Sequence, residues 1–171
     1  MERTSQVLAV GWLAHAIAWS LALWRARGVA AATHEWGREF GLRALMAALL
    51  VTSVTAATPG GWFRVPASAA NALLGVFFAA QATAVIARLQ LGRRWGVGVE
   101  PRSAVAPPLR TGVYRWLSHP IYVGCVTSLA AQALLLQDAS STTLLIGAVV
   151  VTSWKARREA ALLSRPQPPE A

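Results

Sequence analysis

The side chains of this 171-residue chain best suited to binding or moving charge crowd into one stretch, Leu109-Arg-Thr-Gly-Val-Tyr-Arg-Trp-Leu-Ser-His-Pro-Ile-Tyr-Val-Gly124. Tyr114, Arg115, His119 and Tyr122 all lie within it, just where an apolar run begins. The proline after His119 pushes that histidine away from the α region, and Pro120 itself suits the first turn of a helix. His119 is therefore expected at the N-cap edge of a helix, beside free backbone N–H groups and the positive end of the helix dipole. Such a place accepts an anion, for example the carboxylate of a cofactor or substrate. Arg115, four residues earlier, can add a fixed charge to the same place. The plainer alternative is that Arg115 and His119 anchor the helix at the lipid headgroups.

Other chemistry is scarce. Glu159 is the one carboxylate near the end of the last apolar region, with Arg157 and Arg158 beside it. Cys125 is the single cysteine, so neither an internal disulfide nor a thiolate zinc cluster can form. The sequence has no phosphate-binding P-loop, no dinucleotide Gly-x-Gly-x-x-Gly and no His-Glu-x-x-His, and no metal is expected. His15 sits alone within an apolar segment, where hydrogen bonding inside a helical bundle is expected of it; Gln81 and Asn71 are expected to pair between helices.

The elements that must hold these residues are membrane helices. The chain is 55% hydrophobic and 13% charged, whereas soluble domains carry roughly 25% charged residues. Small chains bury a modest fraction of their surface, so a soluble fold of this size has nowhere to hide so much apolar area. Five apolar stretches stand out: Val7–Trp24, Ala44–Phe63, Ala67–Ala87, Ile121–Leu136 and Ala139–Trp154. The last two are parted only by Gln137 and Asp138 and read as a tight hairpin, which either crosses the bilayer or re-enters it. The expected fold is all-α, a polytopic bundle of about five transmembrane helices in a single membrane domain, residues 1–171. Residues 1–87 hold three helices, residues 88–163 the motif segment, the hairpin and a tail helix, and residues 164–171 a Pro-rich disordered tail.

Charge sets the orientation. The net charge of +9 is distributed between the apolar runs rather than in a stripe. With five crossings, the Arg25–Arg43 loop, the Arg88–Pro120 segment and the tail fall on one side, leaving only Arg3 and Arg64 opposite. Positive residues gather on the cytoplasmic face, so the C-terminus is expected in the cytoplasm. The order of charges around the first apolar run suits an anchored helix rather than a cleaved signal peptide. Trp24, Trp62, Trp95, Trp116 and Trp154 lie near segment ends, as interfacial rings should. The richness in Ala and Arg points to a bacterial source and an inner membrane.

The run Thr111-Gly-Val-Tyr-Arg115…His119-Pro-Ile-Tyr-Val-Gly124 resembles the signature of the isoprenylcysteine carboxyl methyltransferase and phospholipid methyltransferase family, membrane enzymes that use S-adenosylmethionine. In that family a Gly-x-Tyr-Arg stretch leads into Arg-His-Pro-x-Tyr, then a two-helix hairpin, then a helix rich in Arg and Glu. The same order is found here, ending in Lys155-Ala-Arg-Arg-Glu-Ala-Ala-Leu-Leu163, and Leu91-Gly-Arg-Arg-Trp-Gly96 resembles the family's approach to the motif. Ser118 stands where the family has arginine, and Glu159 stands alone where it has paired glutamates.

The resemblance implies a methyltransferase whose cofactor is S-adenosylmethionine, held by Tyr114, His119, Tyr122, Glu159 and Arg158, with His119 and Arg115 at the reacting groups. It implies a lipophilic partner, an isoprenoid, a long-chain phenol or pyrone, or another lipid, entering between helices from surrounding membrane lipid. Tyr114, Tyr122 and Leu162 are candidates to line the adenine slot. No nucleic acid is expected as a partner. Two other readings stay open on the residues: a nicotinamide-dependent membrane lipid reductase with a similar hairpin, and a non-enzymatic accessory protein carrying a decayed motif.

Overall fold

Along the first helix, Ser5, Leu8, Trp12, His15, Trp19 and Ala22 recur every three or four residues and are buried. Val10, Leu13, Ile17 and Leu21 recur at the same spacing on the opposite face and are exposed. A helix with 3.6 residues per turn separates two such stripes. Here the outer stripe is wholly aliphatic and the inner one carries the serine, the histidine and the indoles. That inversion suits hydrocarbon outside and a polar-bearing interior within.

The computed structural model describes residues 2–26, 45–52, 62–92 and 109–163. Among them the regular structure is all helical: α1 (Glu2–Ala26), α2 (residues 45–52), α3 (Ala67–Leu91), a 3-10 turn (Gly112–Arg115), α4 (Pro120–Leu136) and α5 (Ala139–Leu163). Residues 27–44, residues 53–61 of the second expected span, residues 93–108 with Trp95 and the Arg93-Arg94 pair, and residues 164–171 lie outside the described residues.

Two described helices are long and apolar enough to cross a membrane: Arg3–Ala22, with mean hydropathy 1.3, and Ala67–Leu91, with mean hydropathy 1.8. α4 is apolar but has only 17 residues, a rise of about 25 Å against a hydrocarbon core of about 30 Å. The second expected span does not run to Phe63, because residues 62–66 are non-helical; residues 53–61 of that stretch lie outside the described residues. The hairpin's second arm does not stop at Trp154 either. It continues unbroken through Leu163, so the arm and the Arg- and Glu-bearing stretch are one helix.

α3 and α4 pack most closely, through small residues. A Cβ on Gly124 would stand 2.7 Å from the Ala80 carbonyl oxygen and 2.9 Å from the Ala84 Cβ. Ala80, Ala84 and Ala87 on α3 and Ser128 and Ala131 on α4 are buried likewise. Where lipid is as apolar as leucine, such close approach of backbones drives helix association. Ser128 returns its hydroxyl to the Gly124 carbonyl at 2.7 Å, which satisfies it within its own helix.

One polar chain crosses the interior. Trp12 Nε1 donates to Gln132 Oε1 at 2.5 Å, and Gln132 Nε2 donates to Ser141 Oγ at 3.2 Å, joining α1, α4 and α5. Phe77 meets Trp12 edge-on at 5.6 Å and joins Leu8, Leu49, Leu129 and Leu136 in the core. The interhelical role expected of Gln81 and Asn71 thus falls to Gln132. Gln81 is buried with its amide nitrogen lacking an acceptor among the described residues, and Asn71 is exposed.

The hairpin closes tightly. Gln137 takes the left-handed conformation at φ 52° and ends α4 by donating its N–H to the Ala133 carbonyl. Asp138 Oδ1 then accepts from the Ser141 N–H at 2.9 Å, an N-cap that starts α5. The Gln137 side chain accepts from the Phe63 N–H at 2.8 Å, which ties the approach to α3 to this turn.

Candidate functional site

His119 is the N-cap of α4, with φ −132°, and Pro120 is the first helical residue. Its carbonyl accepts from the Val123 N–H at 3.1 Å, opening the helix. The amides of Ile121 and Tyr122 fall in that first turn, where helix N–H groups have no intrahelical acceptor. The imidazole itself makes no capping bond, so the ring is free to face other elements.

It faces Glu159. His119 Nδ1 lies 3.3 Å from Glu159 Oε2, and Tyr122 Oη donates to Glu159 Oε1 at 2.6 Å. The His119 and Tyr122 rings stack at 5.4 Å with 15° between planes. The unequal arms of the hairpin make this meeting possible. α5 is eight residues longer than α4, and about four of those residues, near 6 Å of rise, carry Glu159 past Pro120 to the level of His119.

Tyr114 reaches the site from the 3-10 turn. Gly112 has φ 58°, and a Cβ there would run into the Gln90 side chain. Glycine takes that left-handed backbone without strain, while the Gln90 contact falls on the far end of a flexible side chain. Gln90 Oε1 in turn accepts from the Val113 N–H at 3.1 Å, and Tyr114 Oη donates to the Ala87 carbonyl at 3.4 Å, so the end of α3 carries the turn. Burial pushes the Tyr114 phenol up to about 12; the Glu159 charge adds to this and the Arg88 charge opposes it. Arg88 is buried, with Nη1 donating to the Gly92 carbonyl at 3.0 Å and its guanidinium 5.9 Å from the Trp19 ring centre.

A cavity of about 530 Å³ opens between these pieces, lined by Tyr114, Arg115, Ser118 and His119 from the motif and by Ala160 from α5. Its size falls within the range of about 300–1,000 Å³ common for small-molecule sites. A second, more apolar cavity of about 370 Å³ lies between α1, α2, α4 and α5 and includes Tyr122 and Lys155 in its wall. The stacked pair of His119 and Tyr122 stands between the two.

Comparison with known families decides what this scaffold is. Residues 73–164, just over half of the chain, match the isoprenylcysteine carboxyl methyltransferase (ICMT) family. The chain belongs to the ICMT family. It is thereby a member of a family of membrane methyltransferases. No curated protein and no solved structure matches it.

The ICMT match covers α3 from its first third, the motif and the whole hairpin, and all five anticipated cofactor residues fall inside it. The structure brings Tyr114, His119, Tyr122 and Glu159 together. Arg115 lines the His119 cavity but is exposed, with its guanidinium 5.3 Å from the centre of the Trp116 ring. Arg158 is exposed and lies 5.0 Å over Trp154, one turn back on α5. Leu162 lies outside the described side chains.

Outside the ICMT match, sequence reasoning passed over the α1 and α2 contribution. Trp12, His15 and Trp19 of α1, and Leu45 and Leu49 of α2, wall the second cavity. His15 is not hydrogen-bonded as expected: neither ring nitrogen has a partner among the described residues. The available signal was the three- and four-residue spacing of Trp12, His15 and Trp19, which puts two indoles and an imidazole on one face. Among the described residues no His, Cys, Asp and Glu cluster suited to a metal occurs.

Proposed function

We propose that this protein is an integral membrane methyltransferase that uses S-adenosylmethionine and methylates a carboxylate or hydroxyl of a lipophilic molecule. The observation that carries this is the bonded group of His119, Tyr122 and Glu159 at the start of α4, beside a cavity of small-molecule size. Membership of the ICMT family supports methyl transfer over a nicotinamide-dependent reductase or an accessory protein.

The residues fit the cofactor. The His119 imidazole and the Ile121 and Tyr122 amides form a seat for its carboxylate, strengthened by the helix dipole. Among the described residues Glu159 is the acidic group against that seat, and it suits the amino group or ribose hydroxyls. Tyr114, on the cavity wall, offers a face to the adenine, with Tyr122 and Leu162 as further candidates. Arg115 supplies positive charge at the mouth, and Arg158, folded onto Trp154, holds the end of α5 at the headgroups.

S-adenosylmethionine supplies a methyl group on a sulfonium, which is transferred by in-line displacement. The task left to the chain is to orient the partners and exclude water. Tyr122 serves this from the wall of the more apolar cavity, stacked on the His119 that lines the other. A carboxylate acceptor is already ionised near neutral pH, whereas a phenolic one needs a base. His119 and Glu159 are the bases available at this seat, and isoprenoids, long-chain phenols, pyrones and other lipids all suit the apolar side. On this reading the chain is one membrane domain of about five helices, its last hairpin crossing or re-entering the bilayer, with its three basic regions and its C-terminus in the cytoplasm.

Calorimetric binding of S-adenosylhomocysteine to the detergent-purified protein tests this, run beside His119→Ala. Saturable binding that the substitution abolishes is the expected result. A folded wild type that does not bind, or a substitution without effect, would remove the basis for the cofactor seat.

A further inference from the structure

The apolar chamber between α1, α2, α4 and α5 has a volume of about 370 Å³. Its wall on α5 runs from Thr143 to Lys155, a length of about 18 Å by helical rise. Most of the wall is aliphatic, as with Leu45, Leu49, Ile121, Leu129 and Leu144. Such a space suits an extended or ring-bearing lipid and disfavours a sugar or a nucleotide.

Lys155 apart, at the end of the α5 wall, the hydrogen-bonding side chains on these walls are mostly spent. Thr143 donates its hydroxyl to the Ala139 carbonyl at 2.8 Å, and Thr152 to the Ala148 carbonyl at 2.7 Å. Tyr122 donates to Glu159, and Trp12 donates to Gln132. His15 differs. It is 3% exposed, and both Nδ1 and Nε2 lack a hydrogen-bond partner among the described residues. Its ring is stacked on Trp19 at 5.4 Å and meets Trp12 edge-on at 5.8 Å, so the two indoles fix where it points.

A buried polar group without a partner is costly, and a leucine in its place would avoid that cost. An imidazole offers an N–H donor and, in its neutral form, a lone-pair acceptor. A hydroxyl complements both. An ionised group fits poorly at this depth: Trp19 lies under Arg88 near the end of α3, and His15 is one turn deeper, about 6 Å further from the headgroups. The flanking indoles favour a planar ring over a saturated chain at the same level.

We propose that His15 is a specificity-determining residue of the acceptor chamber, and that the chamber takes a lipophilic molecule bearing a hydroxyl on a planar ring in preference to a plain hydrocarbon. This rests on the methyltransferase reading only in taking the occupant to be the methyl acceptor. His15 holds the ring by hydrogen bonding, and the aliphatic wall toward Leu129 and Leu144 receives the tail.

The test uses the full chain in detergent with two probes of matched size, a pentadecyl-substituted phenol and pentadecylbenzene, and measures S-adenosylhomocysteine binding on the same preparations. The wild type should favour the phenol by about tenfold, the worth of one hydrogen bond to an otherwise unpaired buried group. His15→Phe should bind both probes alike and keep S-adenosylhomocysteine binding. His15→Gln, which retains a donor and an acceptor, should keep part of the preference. Equal affinity of the wild type for the two probes, or a preference that survives in His15→Phe, overturns the proposal and leaves the cofactor site untouched. A wild type that prefers the phenol yet fails to bind S-adenosylhomocysteine preserves the chamber and removes the methyltransferase reading instead.

Discussion

Tyr122 Oη and Glu159 Oε1 lie 2.6 Å apart, although 37 residues of hairpin separate them in the chain. Tyr122 begins the short arm of that hairpin and Glu159 lies on the overhang of the long arm. The bond therefore registers α5 against α4 at the level where His119 stands, and it leaves Glu159 Oε2 beside the imidazole at 3.3 Å.

Tyr122→Phe should remove that bond and keep the ring stack. A hydrogen bond to a charged group contributes about 1.5–3 kcal/mol, and S-adenosylhomocysteine affinity should fall by about tenfold as Glu159 loses its positioning. Glu159→Ala should cost more, about a hundredfold, since it removes the acidic contact as well. Calorimetry on both variants checks the order. Equal losses would mean that Glu159 contributes nothing beyond its bond to Tyr122, and no loss in Tyr122→Phe would mean that Tyr122 acts only through packing.

Gly124 is where α3 and α4 come closest. Gly124→Leu must push the helices apart, since even a Cβ meets the Ala80 carbonyl at 2.7 Å. Overpacking of this kind costs about 1–3 kcal/mol or more. A lowered Tm in detergent, with a shift toward aggregated protein on size exclusion, is the expected result. Gly75, where an added Cβ would meet nothing within 4 Å, is the control, and Gly75→Ala should leave Tm unchanged or raised.

Gly112→Ala combines a left-handed backbone with a clash against Gln90. The backbone part alone costs about 1–2 kcal/mol. The substitution should weaken S-adenosylhomocysteine binding by loosening the Tyr114 turn. Adding Gln90→Ala relieves the crowding but not the φ strain, so it should restore little. Full restoration by the double variant would show that space alone, and not conformation, requires glycine here.

Tyr114 should ionise late. The chain has two tyrosines, so in Tyr122→Phe the phenolate absorbance reports Tyr114 alone. Its folded value is raised from 10.0 to about 12, with burial the largest cause. The protonated phenol is thus favoured in the folded state; its stability contribution is whole below pH 10 and is lost as pH rises through about 12. A titration midpoint near 10 would mean that the Tyr114 ring is not held against the end of α3.

Much of this protein is written locally in its sequence. Helical class follows from the apolar runs, because length and composition decide it without reference to partners. The place of His119 is equally local, since the following proline dictates both its departure from the α region and the start of α4. Family membership is legible in the ordered residues Gly112, Tyr114, Arg115, His119, Pro120 and Tyr122. The end of the second apolar run is not, because apolar composition continues through Trp62 and Phe63, which lie outside any helix.

Only the tertiary structure decided which of those residues meet. Glu159 reaches His119 and Tyr122 because α5 outruns α4, a relation between two helices that neither helix contains. Arg115 and Arg158, equally charged and nearby in sequence, are folded onto Trp116 and Trp154 because an adjacent aromatic face is within their reach. The chamber, and a His15 without a hydrogen-bond partner among the described residues, arise only where α1, α2, α4 and α5 converge. Sequence spacing sets which face a side chain occupies, but what that face meets depends on packing between distant segments.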